Sequence, residues 1–406
     1  MRNIIGRVRK KNCCNYMSQY SGKHYKDERM RVDWRKGMSV QKIQYCKRCV
    51  MNDTADKFIT FDEQGFCNYC TAALAAINTT TYFPNEEGQK KLTTMISTIK
   101  KENKDKPYDC VMGISGGLDS AYLAYLGYKW GLRILAVHID DGYDTEISKK
   151  NIKKLCRAAH IELYTITPDE EQFNNLTLAY MKAGVPNLAI PQDNILFAFL
   201  YETVIKEKLK YFLSGGNFAL ECILQKDHVF NAMDTVNIKD IHSKYGSEPI
   251  DKLKFVSSYQ KFWNTITGRV IQFRPLNYIE YNRKRAFEEL YEFCGFEYYG
   301  RKHLENILTA FVQLYWFPKK FGVDKRSSHL SSMIVSGQMT RDEAMRQLAE
   351  PLYDAQMMNN YVRFIKEKLQ LSDEEFDEIM KMPVHEHEDF KVDKFAKIIR
   401  KFIKRS

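Results

Sequence analysis

The chain has 406 residues, of which 44% are apolar and 28% are charged, and its formal net charge is +11. This composition is that of a globular protein of two or three domains, and no stretch approaches the roughly 18 uncharged apolar residues of a membrane span. The N-terminus is basic and lacks the apolar core of a secretory signal, so the sequence predicts a cytoplasmic protein.

The positive charge lies at the two ends of the chain. Residues 1–45 hold twelve basic and three acidic side chains, and residues 391–406 hold seven and one, so the segment between them is mildly acidic. A protein that binds nucleic acid needs basic groups across its contact face, because phosphate contacts supply much of the affinity. The distribution argues against a nucleic-acid partner without excluding one.

Four of the ten cysteines form two Cys-x-x-Cys pairs. Cys46 and Cys49 are followed, after seventeen residues, by Cys67 and Cys70, and this spacing is typical of a structural zinc site in which four thiolates surround one ion. A ribbon of this length folds only around a metal. An iron–sulfur cluster on the same thiolates and four unrelated buried cysteines are the alternatives.

A glycine-rich segment marks the start of the central part of the chain. Residues 109–114 have strand character, Ser115-Gly116-Gly117-Leu118-Asp119-Ser120 follows, and a helical pattern covers 121–130. A strand, glycine turn and helix start bind phosphate through backbone N–H groups and the helix dipole. Asp119 would repel phosphate unless a divalent cation lay between them, so the loop predicts Mg²⁺ as well. A glycine turn capped by Asp119, without a ligand, is the alternative.

Strand-like and helix-like segments alternate beyond this loop. The strands are expected at 132–139, 161–166 and 211–213, and the helices at 145–159, 170–183 and 194–208. This alternation predicts an α/β fold with a doubly wound parallel sheet, whose ligand lies at the carboxyl ends of the strands. His138, Asp140 and Asp141 end the second strand, where a nucleoside would lie, and Ser214-Gly215-Gly216-Asn217 ends a later strand.

The segment 115–120 resembles the pyrophosphate-binding loop of the N-type ATP pyrophosphatases, the PP-loop enzymes, which include asparagine, GMP and NAD synthetases and several tRNA-modifying enzymes. Phe273-Arg274-Pro275-Leu276 is similar to a further motif of this superfamily, in which Arg274 would hold phosphate or the leaving pyrophosphate. A surface arginine before a turn is the alternative. We expect catalytic roles for Ser115, Asp119, Ser120 and Arg274, and nucleotide contacts from Ser115, Gly116, Gly117, Asp119, Ser120, His138, Asp140, Ser214, Gly215 and Gly216.

Within this superfamily the chain is similar to the N-acetyl sugar amidotransferases of surface-polysaccharide biosynthesis, over about residues 43–390. The similarity rests on CKRCVMNDT at 46–54, the loop at 115–120, LSGGN at 213–217 and KFGVDKRSSHLS at 320–331. Residues 1–38 have no counterpart in the family. Gln192-Asp193-Asn194 stands where the family is expected to have Asp followed by His.

The resemblance implies a reaction of the acetamido group, whose oxygen is a poor leaving group until it is activated. That oxygen would attack the α-phosphate of ATP, releasing pyrophosphate, and ammonia would then displace AMP to leave an acetamidino sugar of a lipopolysaccharide O-antigen or related glycan. The chain lacks an N-terminal cysteine nucleophile and a Gly-x-Cys-x-Gly elbow, so a separate glutaminase is implied. The resemblance implies a small sugar carried on a nucleotide as the substrate, and the expected cofactors are ATP, Mg²⁺ and Zn²⁺.

The C-terminal part is expected to be helical and rich in buried aromatic residues. Lys325, Arg326 and His329 form a positive cluster suited to an acidic sugar or its diphosphate, with a solvated helix face as the alternative.

The sequence predicts five successive parts. A basic leader over 1–42 is disordered or precedes the true start, and a zinc knuckle covers 43–85. The ATP pyrophosphatase domain covers 86–280, and a helical substrate or partner region covers 281–390. A basic amphipathic helix over 391–406 touches a membrane surface, a partner or its own domain.

A tRNA-modifying enzyme of the same superfamily, in which the adenylated oxygen belongs to a base, is the competing interpretation. Such enzymes commonly carry further paired cysteines, whereas Cys110, Cys156, Cys222 and Cys294 are unpaired in sequence. A zinc-stabilised nucleotide-binding subunit without activity is a third interpretation, and the intact loop at 115–120 argues against it.

Overall fold

Residues 30–31, 41–300 and 304–395 are described by a computed structural model of the chain. The chain divides into a unit of residues 1–44 and a unit of residues 45–406. In the first unit, β1 (Met30–Arg31) pairs antiparallel with β2 (Gln41–Lys42). Most of the predicted basic leader, and residues 396–406 of the predicted basic helix, lie outside the described residues.

A five-stranded sheet forms the centre of the second unit. Its strands are β3 (Cys110–Gly113), β4 (Ile134–Ile139), β5 (Glu162–Ile166), β6 (Tyr211–Leu213) and β7 (Ile271–Phe273), in the order β5-β4-β3-β6-β7. Every neighbouring pair is parallel. The central strands β3 and β4 are buried except at their last residue, as expected of strands covered on both faces. The predicted parallel α/β sheet is confirmed.

The winding of this sheet reverses between β3 and β6. The chain runs outward from β3 through β4 to β5, and then returns to place β6 on the other side of β3. A crevice is expected at such a reversal, at the carboxyl ends of the strands and between the loops that leave β3 and β6. This is the position at which the sequence places the two glycine-rich loops.

Helices cover both faces of the sheet. Along β3, Cys110 and Met112 pack into one core and Val111 packs into another, because successive strand residues point to opposite faces. The helices are α1 (Asn68–Ala76), α2 (Glu86–Glu102), α3 (Leu118–Lys129), α4 (Glu146–Ala158), α5 (Glu170–Lys182), α6 (Ile190–Lys206), α7 (Phe218–Glu221), α8 (Thr235–Tyr245), α9 (Ser258–Ile266), α10 (Arg283–Cys294), α11 (Ile307–Phe311), α12 (Arg326–Val335), α13 (Arg341–Ala349), α14 (Ala355–Lys368) and α15 (Asp373–Lys381). None of the helices in the described ranges has the length and hydropathy of a membrane span.

The C-terminal part is helical, as predicted, and supplies much of a second core. A π-helical segment, Val312–Phe321, continues α11. Within it Trp316 is completely buried, and its indole N–H donates to the carbonyl of Val185 at 3.0 Å. Of the aromatic residues that were expected to be core, Phe311 and Trp316 are buried, whereas Tyr291 and Tyr298 are exposed.

The buried side-chain amide of Asn194 forms hydrogen bonds that connect the start of α6 to two other segments. The Asn194 side chain donates to the carbonyls of Ala232 and Val256, at 2.6 and 2.9 Å, and accepts from the N–H of Val256 at 3.0 Å. Asn194 is fully buried. Asn194, which departs from the residue expected in the resembled family, therefore links three segments of the chain by hydrogen bonds.

Asn194→Ala is expected to destabilise the fold, because it leaves three backbone groups of two buried segments without their partner. The expected loss is about 3 kcal/mol of unfolding free energy, measured by urea denaturation. Asn360→Ala, at an exposed position on α14, serves as the control and should stay within about 0.5 kcal/mol of the parent. An equally stable Asn194→Ala would show that this amide does not hold α6 in place.

Candidate functional site

The four paired cysteines converge on one point. All four are fully buried, the Cys46 and Cys70 sulfurs lie 3.7 Å apart, and the Cys49 and Cys67 sulfurs lie 3.5 Å apart. Ligand sulfurs around one tetrahedral zinc, with bonds of about 2.3 Å, lie about 3.8 Å from one another. The thiols are therefore spaced as ligands of a single ion.

The surroundings of this cluster favour the thiolate that a metal requires. The Cys46 sulfur accepts from the backbone N–H groups of Arg48, Cys49 and Cys67, at 3.4, 3.5 and 3.2 Å. The neighbouring thiols of Cys49, Cys67 and Cys70 hold the pKa of Cys46 well below its usual value. Because the deprotonated form is the metal ligand, these residues fit a bound ion.

The cysteine knuckle is joined to the C-terminal helices. Arg341 donates through Nε to the carbonyls of Cys46 and Cys49, at 3.2 Å each. The N–H of Val50 donates to the Ser331 hydroxyl at 3.1 Å, and the Val50 side chain packs with Leu330. The knuckle thus packs directly against α12 and α13.

The loop after β3 depends on its glycines. Gly116 has φ +75°, and a Cβ on it would lie 2.6 Å from the Ser148 carbonyl oxygen. A Cβ on Gly117 would overlap the Glu305 carboxylate. The Ser115 and Ser120 hydroxyls lie 3.3 Å apart inside the turn. No side chain caps α3 at Gly117, so the helix start faces the crevice as in phosphate-binding loops.

The loop after β6 closes against the first loop. A Cβ on Gly215 would lie 3.0 Å from the backbone nitrogen of Ser120, so glycine permits this contact. The next residue, Gly216, lies beside Arg274, whose guanidinium carbon is 3.8 Å from the position of a Cβ there. The structure therefore places the three predicted motifs at the same edge of the sheet.

A cavity of about 480 Å³ lies between these loops. The predicted site residues that line it are Ser115, Gly117, Asp119, Ser120, His138, Ser214, Gly215 and Gly216. Gly116, Asp140 and Arg274 lie outside the lining, although Gly116 and Arg274 adjoin residues within it. The roles of all these residues stay predictions.

The His138 side chain connects the end of β4 to the start of the glycine-rich loop after β3. Its Nδ1 lies 2.9 Å from the Ile114 carbonyl oxygen, and its Nε2 lies 2.9 Å from an oxygen of Asp144. Burial by itself lowers the pKa of His138, but Asp144 and the carbonyl outweigh it, and the net pKa is raised. The contacts of the two ring nitrogens fix the orientation of the imidazole in this wall of the cavity. His138, Asp140 and Asp144 are also close enough together to hold a metal ion.

Acidic and amide side chains complete the cavity. Asp141, which the sequence placed at the end of β4, accepts from the amides of Gln192 and Asn306, the latter at 3.2 Å. Burial raises the pKa of Asp141 to about 6. Asp193, one residue after Gln192, is exposed and also lines the cavity.

The C-terminal part also contributes to the first loop. The Tyr281 hydroxyl donates to the Asp119 carboxylate, and the N–H of Leu118 donates to the Tyr299 hydroxyl at 2.7 Å. Glu305 lies over the turn, with Oε1 3.5 Å from the Ser115 hydroxyl. These residues follow the loop by more than 150 positions, and no local pattern signals them.

The predicted positive cluster of Lys325, Arg326 and His329 lies outside the cavity. Lys325 stands over the ring of Phe317, with its nitrogen 4.8 Å from the ring centre, and burial lowers its pKa to about 8. Arg326 pairs with Asp324 at 2.7 Å and donates to the carbonyls of Gln347 and Glu350 at the end of α13. None of Lys325, Arg326 and His329 lines the cavity. Their predicted contact with a sugar stays a prediction.

Comparison with known families assigns the C-terminal part of the chain. Residues 305–404 match the family model described as "LPS biosynthesis protein WbpG-like, C-terminal domain". This part of the chain is therefore similar to the C-terminal domain of lipopolysaccharide-biosynthesis proteins, in agreement with the relationship predicted from the motifs. No curated protein sequence matches the chain significantly.

Solved structures with a similar fold have low sequence identity. NMN synthetase from Francisella tularensis is 15% identical over 71% of this chain and 96% of its own, with a TM-score of 0.35. NAD+ synthetase from Burkholderia pseudomallei is 15% identical over 74% and 98%, with a TM-score of 0.36. The U34-tRNA thiolase NcsA from Methanococcus maripaludis, with its [4Fe-4S] cluster, is 14% identical over 80% and 88%, with a TM-score of 0.30.

Replacing Cys49 or Cys67 by Ser is expected to release the metal and unfold the segment around the knuckle, because three thiolates do not complete the tetrahedron. Elemental analysis of the parent protein should give one zinc per chain. Cys294→Ser, at a half-buried position at the end of α10, should retain the zinc. Iron in the parent, or no metal at all, would contradict the zinc assignment.

Proposed function

We propose that the protein is an ATP-dependent amidotransferase of surface-glycan biosynthesis. It adenylates the acetamido oxygen of an N-acetyl sugar and replaces that oxygen with ammonia, forming an acetamidino sugar, AMP and pyrophosphate. The observation that carries the proposal is the SGGLDS turn, which follows a strand and begins a helix at the point where the winding of the sheet reverses. The C-terminal part of the same chain matches a WbpG-like lipopolysaccharide-biosynthesis domain.

The two glycine loops would bind the phosphates of ATP. The turn at 115–117 and the start of α3 lie at the cavity, and Gly215 lets the second loop approach within contact of Ser120. The N–H groups of Ser115, Gly117 and Leu118 donate to nearby hydroxyls, and phosphate oxygens would replace these hydroxyls as acceptors. The backbone would then stabilise charge on leaving pyrophosphate. The Ser115 and Ser120 hydroxyls add two further donors at the same turn.

Asp119 and Glu305 fit a Mg²⁺ ion at the phosphates. Both carboxylates line the cavity beside the glycine turn, and Mg²⁺ prefers oxygen ligands shared between a protein and a substrate phosphate. When bound, the ion would neutralise charge on the phosphates. Tyr281 positions Asp119 by donating to it. Without a cation, two carboxylates at this turn would repel a nucleotide.

The cavity suits an activated amide that must be kept from water. An adenylated amide is also hydrolysed by water, so the site must admit the nitrogen donor and limit solvent. Phe173, Leu196 and Phe197 form apolar parts of the wall. Ammonia would come from a separate glutaminase, and the cysteine knuckle would hold zinc in a structural role, since all four positions around the ion are filled by cysteine.

The products of ATP cleavage test the proposed class of reaction. The purified protein, incubated with ATP, Mg²⁺, ammonium and candidate nucleotide-linked acetamido sugars, is expected to form AMP and pyrophosphate only when a sugar substrate is present. Product analysis by anion-exchange chromatography and mass spectrometry measures both. ADP and orthophosphate would overturn the proposal, and AMP formation that depends on unmodified tRNA rather than a sugar would favour a tRNA-modifying enzyme.

Asp119→Ala and Ser115→Ala are each expected to lower the rate of AMP formation by about 10²-fold or more, because each removes a contact to the phosphates or to Mg²⁺. Ser115→Ala opens no core cavity, so its thermal unfolding should follow the parent. Asp119→Ala should keep the fold but unfold at a somewhat lower temperature, because it removes the acceptor of the buried Tyr281 hydroxyl. Asp105→Ala, at a highly exposed position, is the control. Parental rates in either loop variant would remove the loop from the mechanism.

A further inference from the structure

A second group of metal-ligating side chains lies at the end of β4, apart from the cysteine knuckle. His138 is in the strand, Asp140 directly follows the strand, and Asp144 lies in the loop before α4. One ligand atom from each of the three side chains lies within 4.8 Å of the other two. Adjacent ligands of an octahedral ion, with bonds of about 2.1 Å, lie about 3 Å apart, and opposite ligands lie about 4 Å apart. The three groups are therefore within reach of a single ion.

The His138 imidazole is oriented as in a metal site. Its Nδ1 lies 2.9 Å from the Ile114 carbonyl oxygen, and its Nε2 lies 2.9 Å from Oδ2 of Asp144. Because a carbonyl oxygen only accepts, Nδ1 is the donor of the first contact. Histidines that bind metals almost always donate their other ring N–H to a carbonyl, carboxylate or water. The ring therefore holds Nε2 at the position that a metal ligand requires.

The two carboxylates are each held through one oxygen. Asp140 accepts through Oδ1 from the N–H of Gly142 at 3.1 Å. Asp144 accepts through Oδ1 from the amide of Asn306 at 3.5 Å, whereas its Oδ2 is buried and accepts no hydrogen bond within the described residues. Only 5% of the Asp144 side chain is exposed. A carboxylate oxygen this deeply buried requires a cation beside it.

A proton or a metal ion fits between Nε2 of His138 and Oδ2 of Asp144. A proton gives an ion pair of these two side chains, which involves no third group. The carboxylate of Asp140, which is half-buried, lies in the same cluster. An ion pair leaves the position of this second carboxylate unexplained, whereas a metal ion uses all three side chains.

The loop that carries Asp144 is fixed by the C-terminal part of the chain. The N–H of Thr145 donates to the Glu305 carbonyl at 3.0 Å, and the N–H of Ile307 donates to the Tyr143 carbonyl at 2.7 Å. These bonds lie on both sides of Asp144, so its carboxylate is placed before any ion binds. Ligands held in advance lower the entropy cost of binding.

We propose that His138, Asp140 and Asp144 bind a divalent transition-metal ion, at a site separate from the knuckle and from the Mg²⁺ position proposed at the glycine turn. An imidazole nitrogen favours such an ion over Mg²⁺ or Ca²⁺, which prefer oxygen ligands. Two carboxylates balance its charge. Because His138 and Asp144 line the cavity, the remaining coordination positions are open to water or to a substrate oxygen, as in catalytic metal sites.

Manganese(II) is the probe, because electron paramagnetic resonance reports both its binding and any nitrogen ligand. The tag-free, full-length protein is titrated with Mn²⁺ in an excess of Mg²⁺ and without nucleotide. It is expected to bind one Mn²⁺ per chain, with a ¹⁴N coupling that His138→Gln abolishes. Asp140→Asn and Asp144→Asn are expected to raise the dissociation constant about 100-fold or more, because even residues that only orient a metal ligand contribute about 10- to 100-fold.

Glu146→Gln is the matched control variant. Glu146 begins α4, close to the cluster in sequence, and its side chain is 81% exposed. It should leave the Mn²⁺ affinity and the ¹⁴N coupling unchanged, as should Asp119→Ala, which removes a carboxylate of the glycine turn. Asp140→Asn keeps an amide oxygen as the acceptor for Gly142, so its circular dichroism spectrum should follow the parent.

Three results would each overturn the inference. They are no Mn²⁺ binding by the parent, binding without a ¹⁴N coupling, and parental affinity in Asp140→Asn and Asp144→Asn. Any of them would leave His138 and Asp144 as an ion pair only. These measurements use neither ATP nor a sugar, so their outcome is independent of the proposed function.

Discussion

The contact between two glycine loops at the carboxyl ends of β3 and β6 is the constraint on which the site depends. Any side chain at Gly215 would press on the backbone of Ser120, and one at Gly116 would meet Ser148. The strand order places the carboxyl ends of β3 and β6 side by side, so their loops meet at one edge of the sheet. Residues of α6, together with Tyr299, Glu305, Asn306 and Thr309, form further walls of the cavity at this edge.

Charge then divides the cavity into two regions. At the glycine turn, the start of α3 is expected to hold phosphate, and Asp119 and Glu305 are expected to share a divalent cation with it. Away from the turn, burial raises the pKa of Asp141 to about 6, and Asp193 lines the same wall. Carboxylates repel anions, so the phosphates of a nucleotide-linked sugar are expected to lie outside this inner region.

Short sequence motifs predicted those parts of the site whose residues lie close together in the sequence. The cysteine pairs, the SGGLDS turn and the strands β3 to β6 each carry a short signature, and parallel winding brings the turns together. Strand β7 has three residues and no clear apolar run, so only the Arg274 motif was recognised there. Tyr281, Tyr299 and Glu305 were missed because they reach the glycine turn through tertiary packing, and Asn194 was identified only as a departure from a motif.

The transfer of the acetamido oxygen to AMP is the central claim, and isotope labelling tests it most directly. The measurement uses an acetamido sugar whose carbonyl oxygen is ¹⁸O, with ATP, Mg²⁺ and ammonium, and determines by mass spectrometry where the label goes. Adenylation of that oxygen followed by displacement by ammonia places the label in the phosphate of AMP and removes it from the sugar. Unlabelled AMP, with ¹⁸O retained in the sugar or released as water, would contradict the account.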